Sequence, residues 1–183
     1  MRSYTYHRLG LWQHSLGIGV VARDLIRHLG LPADLKDELF LSGLIHDIGK
    51  LVLDRFLHEV NGGTTYLTPE IETATVGLDH TEIGLQIAKK WHLPDHTCAV
   101  IQHHHGCMSL SEFGQHIAVI HLADNLLNRI KFGIPEHVEV ATCIAPKVLD
   151  FLRIDERAVA ELEDLIGANL TDILMLCKEV SPC

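Results

Sequence analysis

Apolar residues recur along most of the chain at spacings of three, four and seven, with polar residues between them. That is the period of the α-helix, and no stretch shows the two-residue alternation of a strand. The pattern predicts helices over residues 8–29, closed by Gly30 and Pro32; over 33–47, running into His46-Asp47-Ile48-Gly49-Lys50; and over 51–58. Residues 59–69 read as the longest loop, with Gly62-Gly63 at its centre. Further helices are predicted over 69–91, with Pro69 in the first turn; over 95–105, after Leu93-Pro94; over 112–131, closed by Gly133 and Pro135; over 136–151; and over 155–179. Helices joined by short connections make an all-α fold.

Several of these helices carry ionisable residues on their apolar stripes. His14 shares a face with Ile18, Val21 and Leu25; His80 with Val76, Ile83, Ile87 and Trp91; Asp124 with Ile117 and Ile120. His46 follows Leu35 and Leu39, Asp47 follows Phe40 and Gly43, and His104 and His105 continue the face of Val100 and Ile101. The apolar stripe of a helix faces the core. His14, His46, Asp47, His80, His104, His105 and Asp124 are therefore expected to point inward.

A buried carboxylate without a partner costs several kcal/mol or is neutralised by a shifted pKa. Lys and Arg are too few on these faces to pair them all. Neutral imidazole and ionised carboxylate are both good metal ligands, and a cation offsets the buried negative charge. Five histidines and two aspartates exceed what one ion takes while keeping an open position. Two adjacent ions sharing one carboxylate fit the set better. We expect up to two divalent transition-metal ions, of the Fe, Mn, Co, Ni or Zn kind and not Ca. Singly, each residue has a plainer reading: a lone inward His is usually a satisfied core residue, and His103-His104-His105 is compatible with a solvated helix end. The joint pattern is what argues for metal.

Composition then narrows the function classes. The chain has 183 residues, 47% apolar and 21% charged, which suits one folded domain. Its net charge of −9 disfavours nonspecific nucleic-acid binding and docking to an anionic membrane. No apolar run approaches the roughly 18 residues of a membrane span, and MRSYTYHRLG contains no signal-peptide apolar region. Cys98, Cys107, Cys143, Cys177 and Cys183 are odd in number and form no CxxC pair, so disulfide frameworks and cysteine-type zinc sites are poor readings. A cytoplasmic location is expected. The chain holds 14 histidines. His7, His28, His58, His92, His96, His116, His121 and His137 read as surface or packing residues, with His121 also placed to support a ligand one turn before Asp124.

The ordered series WQHS (12–15), GLIHDIGKL (43–51), GLDHTEIG (77–84), IQHHH (101–105) and HLAD (121–124) resembles the HD superfamily of metal-dependent phosphohydrolases. Within it, the chain is most similar to an HDOD domain, whose pattern also has an acidic residue before the D-H helix and W-x-L-P after it, here Glu72 and Trp91-His-Leu-Pro94. The likeness covers about residues 8–179. It implies an HD-type domain over 1–183, with a metal-binding core over about 8–132, C-terminal helices over about 136–179 and a metal cleft between helices. The matching residues imply one ion held by His14, His46, Asp47 and Asp124, and a second held by His80, His104 and His105, with Asp47 bridging. Lys50 is implied as a contact to a substrate phosphate; its plainer alternative is a surface salt bridge. HDOD domains carry further helices before the first motif, so a longer parent chain is expected.

Two departures shape the expectation. His105 is followed by Gly-Cys-Met-Ser-Leu-Ser, without the GYP signature of the related cyclic di-GMP phosphodiesterases. One turn before His14 stands Gly10, where some of those enzymes hold a third ion with Glu. The resemblance thus implies a divalent-metal-dependent phosphohydrolase acting on a phosphate ester or nucleotide in bacterial signal transduction, with Asp47 and Lys50 at the reaction centre. The alternative it leaves is a noncatalytic signalling module with a structural or sensory metal site, partnered by regulatory protein domains. A helical interaction domain without metal is the third reading.

Overall fold

The computed structural model describes residues 4, 10–61, 67–106, 113–135, 138–140 and 142–180, with side chains omitted for 58–61 and 177–180. In chain order the elements are α1 (Gly10–His28), a 3-10 turn (Ala33–Leu35), α2 (Lys36–Ile45), α3 (Ile48–Asn61), α4 (Pro69–Val76) and α5 (His80–Lys90). They continue with α6 (Asp95–His103), α7 (Gly114–Arg129), α8 (Pro146–Leu152), α9 (Glu156–Ala168) and α10 (Leu170–Val180). No strand occurs among the described residues, and the fold is all-α as expected. No helix among them is long and apolar enough to cross a membrane.

The core forms where α1, α2, α6 and α7 meet. Ile18, Leu25, Leu39, Ile120, Leu122, Leu126 and Leu127 are fully buried there, and α8 to α10 close over it with Val148, Val159, Leu162 and Ile173. Two close approaches set the geometry of the site. A methyl group on Gly43 would lie 2.9 Å from the Gly19 Cα, so α1 and α2 cross almost backbone to backbone. Gly49 likewise leaves no room for a Cβ beside the His80 carbonyl, which lets the start of α3 abut the start of α5. The first contact brings the His14 helix against the His46 corner, and the second brings Asp47 beside His80.

Four predicted helices are divided or shortened. The 33–47 helix begins as a 3-10 turn and stops at Ile45; α3 starts at Ile48 and runs past 58 to Asn61, so His46-Asp47 forms a corner. Two adjacent residues on one helix point about 100° apart; the corner lets both side chains turn inward. The 69–91 helix breaks at Gly77, which caps α4 in the left-handed region at φ 90°. Asp79 then starts α5, with its side chain accepting from the Thr81 and Glu82 N–H groups and the Glu82 side chain closing a capping box. Val76 consequently leaves the His80 face and is exposed, and Trp91, which caps the far end of α5, is exposed as well. The 136–151 helix reduces to α8, because Pro146 opens it and holds Ala145 extended at ψ 129°. The 155–179 helix is interrupted at Asn169, the cap of α9.

Candidate metal centre

Hydrogen bonds on the far side of each ring decide what the histidines offer. His46 Nδ1 lies 2.7 Å from the Gly43 carbonyl, and His104 Nδ1 lies 3.2 and 3.1 Å from the Val100 and Ile101 carbonyls. Carbonyl oxygens only accept, so each Nδ1 carries the proton and donates it. The neutral rings then present Nε2 as a bare lone pair. His80 follows the same plan. Its Nδ1 donates to Glu72 Oε2 at 2.7 Å, and its backbone N–H donates to the same oxygen at 2.7 Å.

All three Nε2 atoms converge on one carboxylate. Asp47 Oδ1 stands 3.3 Å from His80 Nε2 and 3.6 Å from His104 Nε2, while Oδ2 stands 3.3 Å from His46 Nε2. Asp47 Oδ1 and the Nε2 atoms of His46 and His104 are fully buried and make no hydrogen bond. Lone pairs aimed at a carboxylate repel unless a proton or a cation lies between them. This arrangement of donors therefore fits divalent metal, whose charge would satisfy all of them at once.

The titration behaviour has the same origin. Burial pushes the Asp47 carboxyl up, but His46 and Lys50 beside it outweigh this and hold it well below the usual range. Burial pushes His46 down, yet the Asp47 and Asp124 charges raise it, so that an added proton does for Asp47 what a cation would. His80 and His105 are lowered, chiefly by burial, His105 to about 3. Both rings are neutral near neutral pH, the form that binds metal. Asp124, pushed up by burial, is held far below its ordinary value by its hydrogen bond to His14.

The donor atoms gather in two groups around Asp47. His80, His104 and His105 form one, with His80 and His105 Nε2 atoms 2.9 Å apart. His14, His46 and Asp124 form the other, with His14 Nε2 on Asp124 Oδ1 at 3.0 Å and the Asn128 amide on the same oxygen at 2.9 Å. His46 and His104 face each other across Asp47 with ring centroids 4.9 Å apart. A cleft of about 460 Å³ opens onto this cluster, walled by Lys50, His80, His105, Asp124, Asn125 and Asn128.

A family model for the HDOD domain matches residues 2–107. The chain belongs to the HDOD domain family. Six of the seven expected ligands lie inside the matched span, and Asp124 follows it. Ribonuclease Y of Lactobacillus acidophilus is 28% identical over 106 residues, which make up 58% of this chain and 15% of the ribonuclease. An HDOD domain protein of unknown function from Geobacter sulfurreducens shares the fold with a TM-score of 0.75 at 19% identity, over 100% of this chain and 66% of that one. The HD domain of the L. monocytogenes phosphodiesterase PgpH, solved in complex with cyclic-di-AMP, superposes with a TM-score of 0.55 at 20% identity, over 90% of this chain and 92% of its own. This HDOD domain thus shares its fold with an HD phosphodiesterase domain.

Sequence reasoning placed all seven inward residues of the HDOD domain, and the structure brings all seven into one cluster. It missed the burial of Lys50. That side chain is 5% exposed, with its ammonium on Asp47 Oδ2 and 5.8 Å from the centre of the Tyr4 ring, so the surface salt bridge gives way to a buried one. It also assigned no role to Glu72. This carboxylate is fully buried, holds His80 from one side and accepts from the Tyr4 hydroxyl at 2.8 Å; burial raises it to about 7. His121 has the supporting place anticipated for it. Its Nδ1 donates to the His104 carbonyl at 2.7 Å, and its Nε2 accepts from the Ala145 N–H at 3.0 Å. His28 and His92 are exposed; His7, His137 and the His58 side chain lie outside the described residues, as do Cys107, Cys183 and the Cys177 side chain. Cys98 and Cys143 carry free thiols.

Proposed function

We propose that this HDOD domain is a divalent-metal-dependent phosphohydrolase that acts on a phosphodiester nucleotide in bacterial signalling. The observation that supports it most is the pair of bare Nε2 lone pairs of His46 and His104 on Asp47, behind a cleft walled by Lys50, His80, His105 and Asp124 and large enough for a small ligand. One ion would be held by His14, His46, Asp47 and Asp124, the other by His80, His104 and His105, with Asp47 shared. Such ions, when bound, neutralise phosphoryl oxygens and lower the pKa of water at neutral pH.

The chain's own residues do the positioning. Glu72 and the Gly43, Val100 and Ile101 carbonyls fix the tautomers and orientations of the His80, His46 and His104 rings, and His121 holds the His104 backbone carbonyl. Lys50 holds Asp47 from the cleft wall and meets the substrate phosphate there. The complex of the PgpH HD domain with cyclic-di-AMP supports a nucleotide as the ligand class. The net charge of −9 favours a small nucleotide over an RNA polymer, although the ribonuclease Y relative makes RNA worth testing.

One observation favours a second reading, a noncatalytic signalling module. The Lys50 ammonium already sits on the Asp47 oxygen that faces His46, so a single cation is supplied from within the chain. The deciding experiment loads the chain with Mn²⁺ or Fe²⁺ and offers a generic phosphodiester, cyclic dinucleotides and a short oligoribonucleotide. Turnover abolished by EDTA is expected. Bound metal with no turnover on any of them would leave the signalling module.

A further inference from the structure

A second group of metal-binding side chains lies outside the central cluster. Glu38 on α2, His96 on α6 and His116 on α7 bring one carboxylate oxygen and two ring nitrogens within 4.8 Å of one another. Each stands eight residues before a member of the central cluster: Glu38 before His46, His96 before His104, His116 before Asp124. Eight helical residues rise about 12 Å. The three helices therefore run in one sense, with the central cluster at their trailing side and this trio at their leading ends.

The trio is more than an ion pair. His116 Nε2 is 2.8 Å from Glu38 Oε2, which a hydrogen bond explains. That bond does not explain His96, which stacks on His116 with centroids 4.9 Å and planes 20° apart and turns its Nδ1 toward the same Oε2 at 3.9 Å. In a tetrahedral site with bonds of 2.0–2.1 Å, neighbouring ligand atoms lie about 3.3 Å apart; the two observed separations straddle that value. The Phe113 ring stands 6.4 Å from His96 and 6.3 Å from His116, walling one side. The side chains of His116, His96 and Glu38 are 10%, 17% and 45% exposed, so the site opens outward and solvent reaches its fourth position.

We propose that Glu38, His96 and His116 form a second, surface-facing site for a zinc-type divalent ion, which ties the leading ends of α2, α6 and α7 together. Two imidazoles and a carboxylate with one open position make a donor set that suits zinc. The ion takes the place of the proton between His116 and Glu38, and a rotation of the His96 ring out of the stack completes the set. Binding here stabilises the three helices that carry His46, His104 and Asp124 at their other side. The site stands on its own geometry and does not depend on the phosphohydrolase reading.

The test counts bound zinc in the full chain after equilibration at buffered, low-micromolar free zinc and desalting. Wild type is expected to hold one equivalent more than His96→Ala. The same gap is expected between Asp47→Asn and Asp47→Asn/His96→Ala, which isolates this site from the central cluster and from any failure of the catalytic reading. With Co²⁺ in the Asp47→Asn background, the visible absorption of tetrahedral cobalt should be present and should fall in Asp47→Asn/His116→Gln, whose glutamine keeps the contact to Glu38. Circular dichroism checks folding, with His96→Gln as the milder change. Equal zinc counts within both pairs would overturn the proposal and leave a plain ion pair with a stacked neighbour.

Discussion

Glu72 Oε2 accepts two hydrogen bonds from His80, one from the backbone N–H and one from Nδ1, each 2.7 Å long. The pair of bonds fixes both the start of α5 and the tautomer of its first side chain. A carboxylate behind a ligand ring also raises the basicity of that ring, and losing such a partner typically costs about 10–100-fold in metal affinity. Glu72→Gln should therefore weaken the ion beside His80 by about that factor, with the ion beside His14 retained. Metal titration with two resolved sites checks it; unchanged affinity at both would remove Glu72 from the metal centre.

The HDOD fold and the inward-facing cluster were legible in the sequence to different depths. Inward faces followed from helical period because α1 and α7 are regular and fully packed. The break before His80 was not foreseen, although Asp79 and Glu82 stand at capping-box spacing after Gly77. Nor was the His46-Asp47 corner, because the apolar period runs straight through it. Lys50 and Glu72 escaped for one reason: each is buried by contacts between helices distant in sequence, with Tyr4 touching both. Glu38, His96 and His116 show nothing singly, because only the parallel packing of three helices joins them.

Lys50 holds the carboxylate that metal would share, which predicts a stability effect that depends on metal. Removing one partner of a buried ion pair costs about 3–5 kcal/mol when the other charge is left uncompensated. Lys50→Ala should lose stability on that scale in chelated protein and far less once metal is bound, because the ion then neutralises Asp47. Denaturant melts with and without EDTA measure both. Metal content should stay near wild type while phosphate binding or turnover falls. A loss of stability equal in both conditions would mean that no cation reaches Asp47.

Protonation of the metal-free protein gives a third prediction. His80 and His105 have folded pKa values below the unfolded value of about 6.5. The unfolded chain therefore binds more protons, and their contribution is full above about pH 6.5 and lost as pH falls toward about 3. His46, raised by Asp47, acts in the opposite sense and gives stability that is lost as pH rises through its folded pKa. Asp47 and Asp124 add a loss only below about pH 4. His46 changes stability above about pH 6.5, whereas Glu72, raised by burial to about 7, acts against the lowered rings as pH falls toward about 4.5. With His96, His103 and His121 lowered as well, the melting temperature in EDTA should still drop between about pH 6.5 and 4.5. The drop should be shallower in His105→Ala. A melting temperature that rose over that interval would show that Glu72 dominates.

Asp47 carries the sharpest prediction, because it alone faces both ligand groups. Its Oδ1 meets His80 and His104, and its Oδ2 meets His46. Each histidine belongs to one side, whereas this carboxylate belongs to both. Asp47→Asn keeps the size, removes the charge and bridges poorly, so it should deplete both ions and abolish phosphoesterase activity. His80→Ala should chiefly empty the site with His104 and His105, and His14→Ala chiefly the site with His46 and Asp124. Stability should follow, since bound metal would clamp residues from α1, the His46 corner, α5, the end of α6 and α7, and binding to the native state adds to folding free energy. Wild type should lose thermal stability on chelation, and Asp47→Asn should start lower and respond little. Metal stoichiometry and melting temperature of the three variants, with and without EDTA, are the measurements. Two ions and a full chelator response in Asp47→Asn would show that this carboxylate is not shared, and the two-ion arrangement would have to be abandoned for this chain.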